Sequence, residues 1–243
     1  MTSGRRPPSA FVAAVAIAGG LAFVGSLAVG VVAYVAWFDV VAGPWSAAAG
    51  LPATAIDAAL FSGFALHQSV FARTGVRRWV AAAVSPALER TVYVWIASAL
   101  FAGLCWAWRP VPGLAWQVPA PWSAGLVAVQ LAGAWLSIHG ARQLDVWDLA
   151  GLAQAFGRAR PPSQALMRRG LYALVRHPIY LGWILMVWPA ATMSGTRLTF
   201  AALSTFYVIV AIPFEERTLR RDFGAAYDAY ARDVRWRIVP FVY

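Results

Sequence analysis

The stretch FVAAVAIAGGLAFVGSLAVGVVAYVAWF, residues 11–38, contains no Asp, Glu, Lys or Arg. A bilayer core of about 30 Å is crossed by roughly 20 apolar residues in a helix, so this run can span a membrane by itself. Arg5 and Arg6 ahead of it give it the look of a secretory leader. A leader's apolar region is only about 7–15 residues long. The longer run here, with further runs after it, reads as a retained first helix.

Comparable runs place spans at 11–37, 51–71, 91–108, 122–140, 178–193 and 198–214. Sixty per cent of the 243 residues are hydrophobic and only 12% are charged, too few charges to cover a soluble surface. After Phe214 the chain turns polar, yet Leu219, Phe223, Ala226, Tyr227 and Tyr230 recur at spacings of three and four, the apolar stripe of an interfacial helix. The expected fold is therefore all-α, a polytopic integral membrane protein of about six transmembrane helices plus a C-terminal amphipathic cytoplasmic helix. Residues 1–243 are expected to form one domain, with a catalytic part over about 142–243.

The formal charge of +10 has a topological reading. All 20 basic residues are Arg, and 18 of them fall in the two tails and the even-numbered loops. That asymmetry puts both termini in the cytoplasm of a bacterial inner membrane and removes the need for a nucleic-acid partner. The lone Cys105 excludes an intramolecular disulfide and a cysteine-based metal centre. Trp108, Trp116 and Trp122 read as interfacial anchors on the outer face. The segment 142–176, with Arg158, Arg160, Pro161, Pro162, Arg168 and Arg169, is too polar to span and is expected to lie over the cytoplasmic surface.

The chemistry-bearing stretch is Gly170–Gly182, which contains Arg176-His177-Pro178-Ile179-Tyr180, followed by a helical hairpin and then Glu215-Glu216. Pro178 is suited to the first position of a helix. Free N–H groups and the helix dipole at such a start favour an anion, and the fork of Arg176 matches a carboxylate. The two limbs of the hairpin are of similar length, so Glu215 and Glu216 are expected back at the level of His177. Such an amphoteric pocket suits S-adenosylmethionine, which carries an α-amino acid, ribose hydroxyls and a sulfonium.

Arg176-His177-Pro178-x-Tyr180-x-Gly182, Glu215-Glu216-x-x-Leu219 and Phe223-Gly224-x-x-Tyr227-x-x-Tyr230 together resemble the isoprenylcysteine carboxyl methyltransferase-like superfamily, which includes phospholipid N-methyltransferases. The resemblance narrows to bacterial methanethiol S-methyltransferases and nitrite or nitric oxide reductase-associated membrane proteins through residues 64–73, 89–93 and Trp106-x-Trp108-Arg109-Pro110. It implies an S-adenosylmethionine-dependent methyltransferase. The implied cofactor-binding residues are Arg176, His177, Pro178, Tyr180, Gly182, Glu215, Glu216 and Tyr227. The chain departs from the narrower group at His67-Gln68, where Gln-His is usual, and across 149–154, where a Phe-Gly-Leu-Arg-Gln element is usual. Both departures bear on the acceptor rather than the methyl donor.

Catalytic roles are expected for His67, Arg176 and Glu216: an imidazole with a pKa near 6.5 can take a thiol proton. No metal site is expected, because His67, His139 and His177 share no ligand-type spacing. Asp57 is expected to be structural. The expected partners are a small thiol or other lipophilic acceptor and membrane lipid. A prenylcysteine carboxylate and a lipid amine remain as alternative acceptors. From another class, an accessory protein of nitrogen-oxide metabolism or a permease remains open.

Overall fold

The computed structural model describes residues 9–71, 73–143, 147, 150–157 and 166–243. Arg5, Arg6, Leu149, Arg158, Arg160, Pro161 and Pro162 lie outside them. Five helices are long and apolar enough to cross a membrane: Ala10–Trp37, Ala47–Phe71, Glu89–Ala107, Trp122–Arg142 and Gly195–Phe223. A shorter apolar helix covers Pro178–Val187. The chain is an all-α, multi-pass membrane protein, and its described strands are one short pair. It divides into two compact units, Met1–Phe38 with Pro52–Arg109 and Asp145–Arg160, and Asp39–Leu51 with Pro110–Leu144 and Pro161–Tyr243.

In the first unit, α1 (Ala10–Val32) ends in a π-helical turn, Ala33–Trp37, and packs against α4 (Glu89–Ala107). The contact is close because α1 offers glycines. A Cβ on Gly19 would sit 3.1 Å from Thr91, and one on Gly30 would sit 2.7 Å from Phe101. Membrane helices associate through such small-residue seams, since lipid offers no hydrophobic drive between them. Trp95 Nε1 donates across the seam to the Val15 carbonyl at 3.3 Å.

The amphipathic α3 (Thr74–Ala83) is pinned to the start of α4 by a two-pronged Arg77–Glu89 pair, at 2.9 and 3.1 Å. The short α6 (Leu152–Ala155) docks on α4 as well, where the Thr91 hydroxyl donates to the Gly151 carbonyl at 3.0 Å. Asp57, fully buried in α2 (Ala47–Phe71), accepts the Arg109 N–H at 2.8 Å just past the end of α4. That is the structural role expected of it.

In the second unit, α5 (Trp122–Gln143) lies against α7 (Pro178–Val187) along another small-residue seam. The fifth expected span, 178–193, is helical only as far as Val187. Trp188 precedes Pro189, which disfavours continued helix, and Thr192–Ser194 instead form β2, antiparallel to β1 (Leu114–Gln117). Ser194 then caps α8 (Gly195–Phe223) by accepting the Arg197 N–H at 3.1 Å. Arg197 pairs with Asp39 and donates to the Thr192 carbonyl at 2.8 Å.

The sixth span, expected to end at Phe214, continues as one helix to Phe223. The expected apolar stripe is therefore divided. Gly224, at φ +53°, breaks the chain between α8 and α9 (Ala225–Asp233). Tyr227, Tyr230 and Val234 still gather Leu219, Phe223 and Leu166 into one core.

Candidate active site

His177 caps α7, and Pro178 occupies its first turn. The His177 carbonyl accepts the N–H groups of Tyr180 and Leu181, both at 3.1 Å. The two amides that lead into the helix are engaged as well. Arg176 N–H donates to the Trp236 carbonyl at 2.9 Å and His177 N–H to the Arg237 carbonyl at 2.8 Å. What this helix start presents is therefore mainly side chains.

Opposite it, α8 carries Glu215 and Glu216 on different sides. Glu216 is 0% exposed. Its Oε1 lies 3.1 Å from Arg176 Nη1, 3.4 Å from Arg237 Nε and 3.5 Å from His177 Nε2, and its Oε2 lies 3.8 Å from Arg220 Nη2. A buried carboxylate is tolerated only with such compensation. Glu215 is about half exposed and accepts the Tyr180 hydroxyl at 2.9 Å, with His177 Nδ1 at 3.6 Å. The His177 and Tyr180 rings stack at 5.5 Å. The expected return of Glu215 and Glu216 to the level of His177 is thus met, at 3.6 and 3.5 Å from its ring nitrogens.

Tyr227, from α9, is buried with a hydroxyl that has no hydrogen-bond partner. Burial first, and then the nearby Glu216 charge, push its phenol up to about 12. Burial and Glu215 push Tyr172 up to about 12 as well, and its carbonyl accepts the Tyr230 hydroxyl at 2.8 Å. Arg176 Nε and Glu216 Oε2 are likewise buried without a hydrogen-bond partner. A cavity of about 420 Å³ adjoins this region, lined among others by Leu174, Val234, Arg235, Trp236 and Phe241.

Gly182 occupies the helix seam. A Cβ there would lie 2.6 Å from the Gly133 carbonyl oxygen and 2.7 Å from Ser137 N. It lets α7 approach α5. His67 belongs to the first unit, where its ring stacks on Tyr93 at 5.4 Å and leans on Phe71 at 4.6 Å. Both His67 ring nitrogens are buried without a hydrogen-bond partner. Tyr93 donates to Gln68, and the Arg90 guanidinium lies 4.6 Å from the Tyr93 ring centre. His139 stacks on Trp135 at 5.0 Å. Among the described residues no group of three or more His, Cys, Asp or Glu is placed to hold a metal.

Arg220, one helical turn beyond Glu216, is the kind of local partner that spacing alone offers. Sequence reasoning missed Arg237: it lies in a tail whose arginines have a sufficient explanation in topology, so nothing local singles it out.

The model of the family described as phospholipid methyltransferase matches residues 123–226, a segment that holds both motifs. Methanethiol S-methyltransferase 2 of Bradyrhizobium diazoefficiens is 37% identical over 182 residues, 74% of this chain and 70% of that protein. Methanethiol S-methyltransferase of Mycobacterium tuberculosis is 36% identical over 189 residues, 75% of this chain and 76% of that protein. Nurim of Xenopus laevis is 32% identical over 165 residues, 63% of this chain and 58% of that protein. No solved structure matches. With its paired motifs joined at a buried glutamate and its sequence aligned over most of these enzymes' length, the chain belongs to the phospholipid methyltransferase-like family of membrane methyltransferases that includes the methanethiol S-methyltransferases.

Proposed function

We propose that the chain uses S-adenosylmethionine to methylate the sulfur of a small thiol such as methanethiol. The observation that carries this reading is the buried Glu216 carboxylate gripped by Arg176 and His177, beside the half-exposed Glu215. The choice of acceptor is supported by the relatives at 36–37% identity, which are named for methanethiol.

The residues present fit the methyl donor. Arg176 Nε, Glu216 Oε2 and the Tyr227 hydroxyl are buried polar atoms with no hydrogen-bond partner, and an amino-acid carboxylate, an ammonium and ribose hydroxyls are complementary to them. Arg176 would hold the carboxylate, Glu215 the ammonium or a ribose hydroxyl, and Tyr227 a further polar group. His177, Pro178, Tyr180 and Gly182 shape the site. Glu216 fixes Arg176 and His177. When bound, the sulfonium supplies an electrophilic methyl group.

The chain's own task is to align the acceptor and exclude water. A thiolate is the reactive form of a thiol. We assign His67 the role of taking the thiol proton, its S–H bond breaking as an N–H bond forms, and Arg176 the role of holding the donor's carboxylate. We further propose that the whole chain acts as one methyltransferase domain with its catalytic part over about 142–243. We place it in a bacterial inner membrane with both termini cytoplasmic, supported by 18 of 20 Arg lying in the tails and alternate loops.

A second acceptor reading, a lipid amine, is favoured by the phospholipid methyltransferase match alone. Membranes containing the chain, given S-adenosylmethionine labelled on its methyl group with methanethiol, a prenylcysteine and phosphatidylethanolamine, decide between them. Label in the methanethiol product supports the reading. Label confined to lipid or prenylcysteine overturns it.

A further inference from the structure

Three consecutive carbonyls of the segment after α9 serve the Arg-His motif. Arg235 O accepts Arg176 Nη2 at 3.2 Å, Trp236 O accepts Arg176 N–H at 2.9 Å, and Arg237 O accepts His177 N–H at 2.8 Å. The first orients the guanidinium, and the other two fix the backbone that leads into Pro178. The same segment then returns a side chain, since Arg237 Nε lies 3.4 Å from the Glu216 Oε1 that Arg176 also holds.

Arg237 is itself held. Its Nη1 donates to the Tyr243 hydroxyl at 3.0 Å, and its guanidinium stands 5.2 Å from the Tyr243 ring centre. The Tyr243 carbonyl accepts the N–H groups of Arg237, Ile238 and Val239 at 2.9, 2.8 and 3.2 Å. Residues 237–243 thereby close into a hook. Phe241 at its tip sits at φ +66°, a conformation that a phenylalanine adopts only where its surroundings impose it. Ile238, at the base of the hook, is buried against Val208 and Ile212 of α8. The hook is thus anchored to the helix that carries Glu216.

We infer that residues 235–243 are the positioning element of the methyl-donor site and that Arg237 is its positioning residue, acting through Glu216 and Arg176. By sharing the Glu216 oxygen, Arg237 relieves Arg176 of being that carboxylate's sole strong partner. Arg176 Nε, buried and without a hydrogen-bond partner, is then left for the donor's carboxylate. The inference rests on the donor reading above.

The test uses the full-length chain in detergent and S-adenosylhomocysteine as the calorimetric probe, alongside steady-state kinetics with methanethiol. Arg237→Ala is expected to weaken probe binding by about tenfold while leaving the KM for the thiol unchanged. Arg237→Lys is expected to recover binding to within about threefold. Tyr243→Phe, which removes a single hydroxyl and guards against a misfolded alanine variant, is expected to cost about threefold. Wild-type affinity in both Arg237→Ala and Tyr243→Phe overturns the inference while leaving the donor reading intact. Absence of probe binding by the wild-type chain overturns the donor reading, and the inference with it.

Discussion

Arg176 Nη1 and Glu216 Oε1 meet at 3.1 Å, with the carboxylate closed off from solvent and the arginine side chain 9% exposed. A pair of this kind is held by geometry, because each charge compensates the other's loss of water. Removing one partner leaves the other buried and unmatched. Glu216→Gln is therefore expected to lower stability by about 3 kcal/mol and to abolish methyl transfer. Thermal unfolding in detergent checks the first outcome, and a label-transfer assay the second. A variant as stable as wild type would show that Arg176 finds other compensation.

Gly182 tests the seam rather than the charge cluster. An alanine there would press on Gly133 and Ser137, and Gly182→Ala is expected to cost about 1–3 kcal/mol through overpacking. Gly125 lies in the same helix as Gly133, and a Cβ there meets nothing within 4 Å. Gly125→Ala should leave the unfolding midpoint unchanged or raise it. Equal effects of the two substitutions would contradict the seam.

The Tyr180 hydroxyl, 2.9 Å from Oε2 of the half-exposed Glu215, makes one of the solvent-exposed contacts of the cluster. Tyr180→Phe is expected to cost about 1 kcal/mol of stability, discounted for the exposure of Glu215. Its larger effect is expected on S-adenosylhomocysteine affinity, read by calorimetry. Unchanged affinity would exclude Glu215 as a ligand oriented by Tyr180.

Tyr227 separates stability from binding. Its buried hydroxyl has no hydrogen-bond partner, so Tyr227→Phe should leave stability unchanged or raise it while weakening the methyl donor. The pH dependence follows from its phenol and that of Tyr172, both raised to about 12 from 10.0. Above pH 10 the unfolded chain loses these protons and the folded chain keeps them. Stability is then complete below about pH 10 and falls as pH rises toward 12. Thermal midpoints measured between pH 8 and 11.5 should decline at the alkaline end, less steeply in Tyr227→Phe.

The apolar runs made most of this fold legible, since a span is written in a continuous stretch and needs no partner to be seen. The meeting of Arg176-His177 with Glu215-Glu216 was legible too, because a hairpin brings its ends together, although non-helical chain and β2 complete its first limb. The end of the fifth helix at Val187 depended on Pro189 and on pairing with Leu114–Gln117, a long-range contact that leaves no local mark. Gly182 carried a motif position, yet its close contact is with Gly133 and Ser137 on another helix. Arg237 was hidden by abundance: in a tail rich in arginine, only folding shows that this one, far along the chain, reaches Glu216.

Whether the Arg176–Glu216 cluster serves thiol methylation is read from the rate at which purified chain, given S-adenosylmethionine and methanethiol, releases dimethyl sulfide, compared between wild type and Glu216→Gln. Steady release is expected from the wild type, with loss of about a hundredfold or more in the variant. Equal release from both, or none from a wild type that binds S-adenosylhomocysteine, would contradict that role.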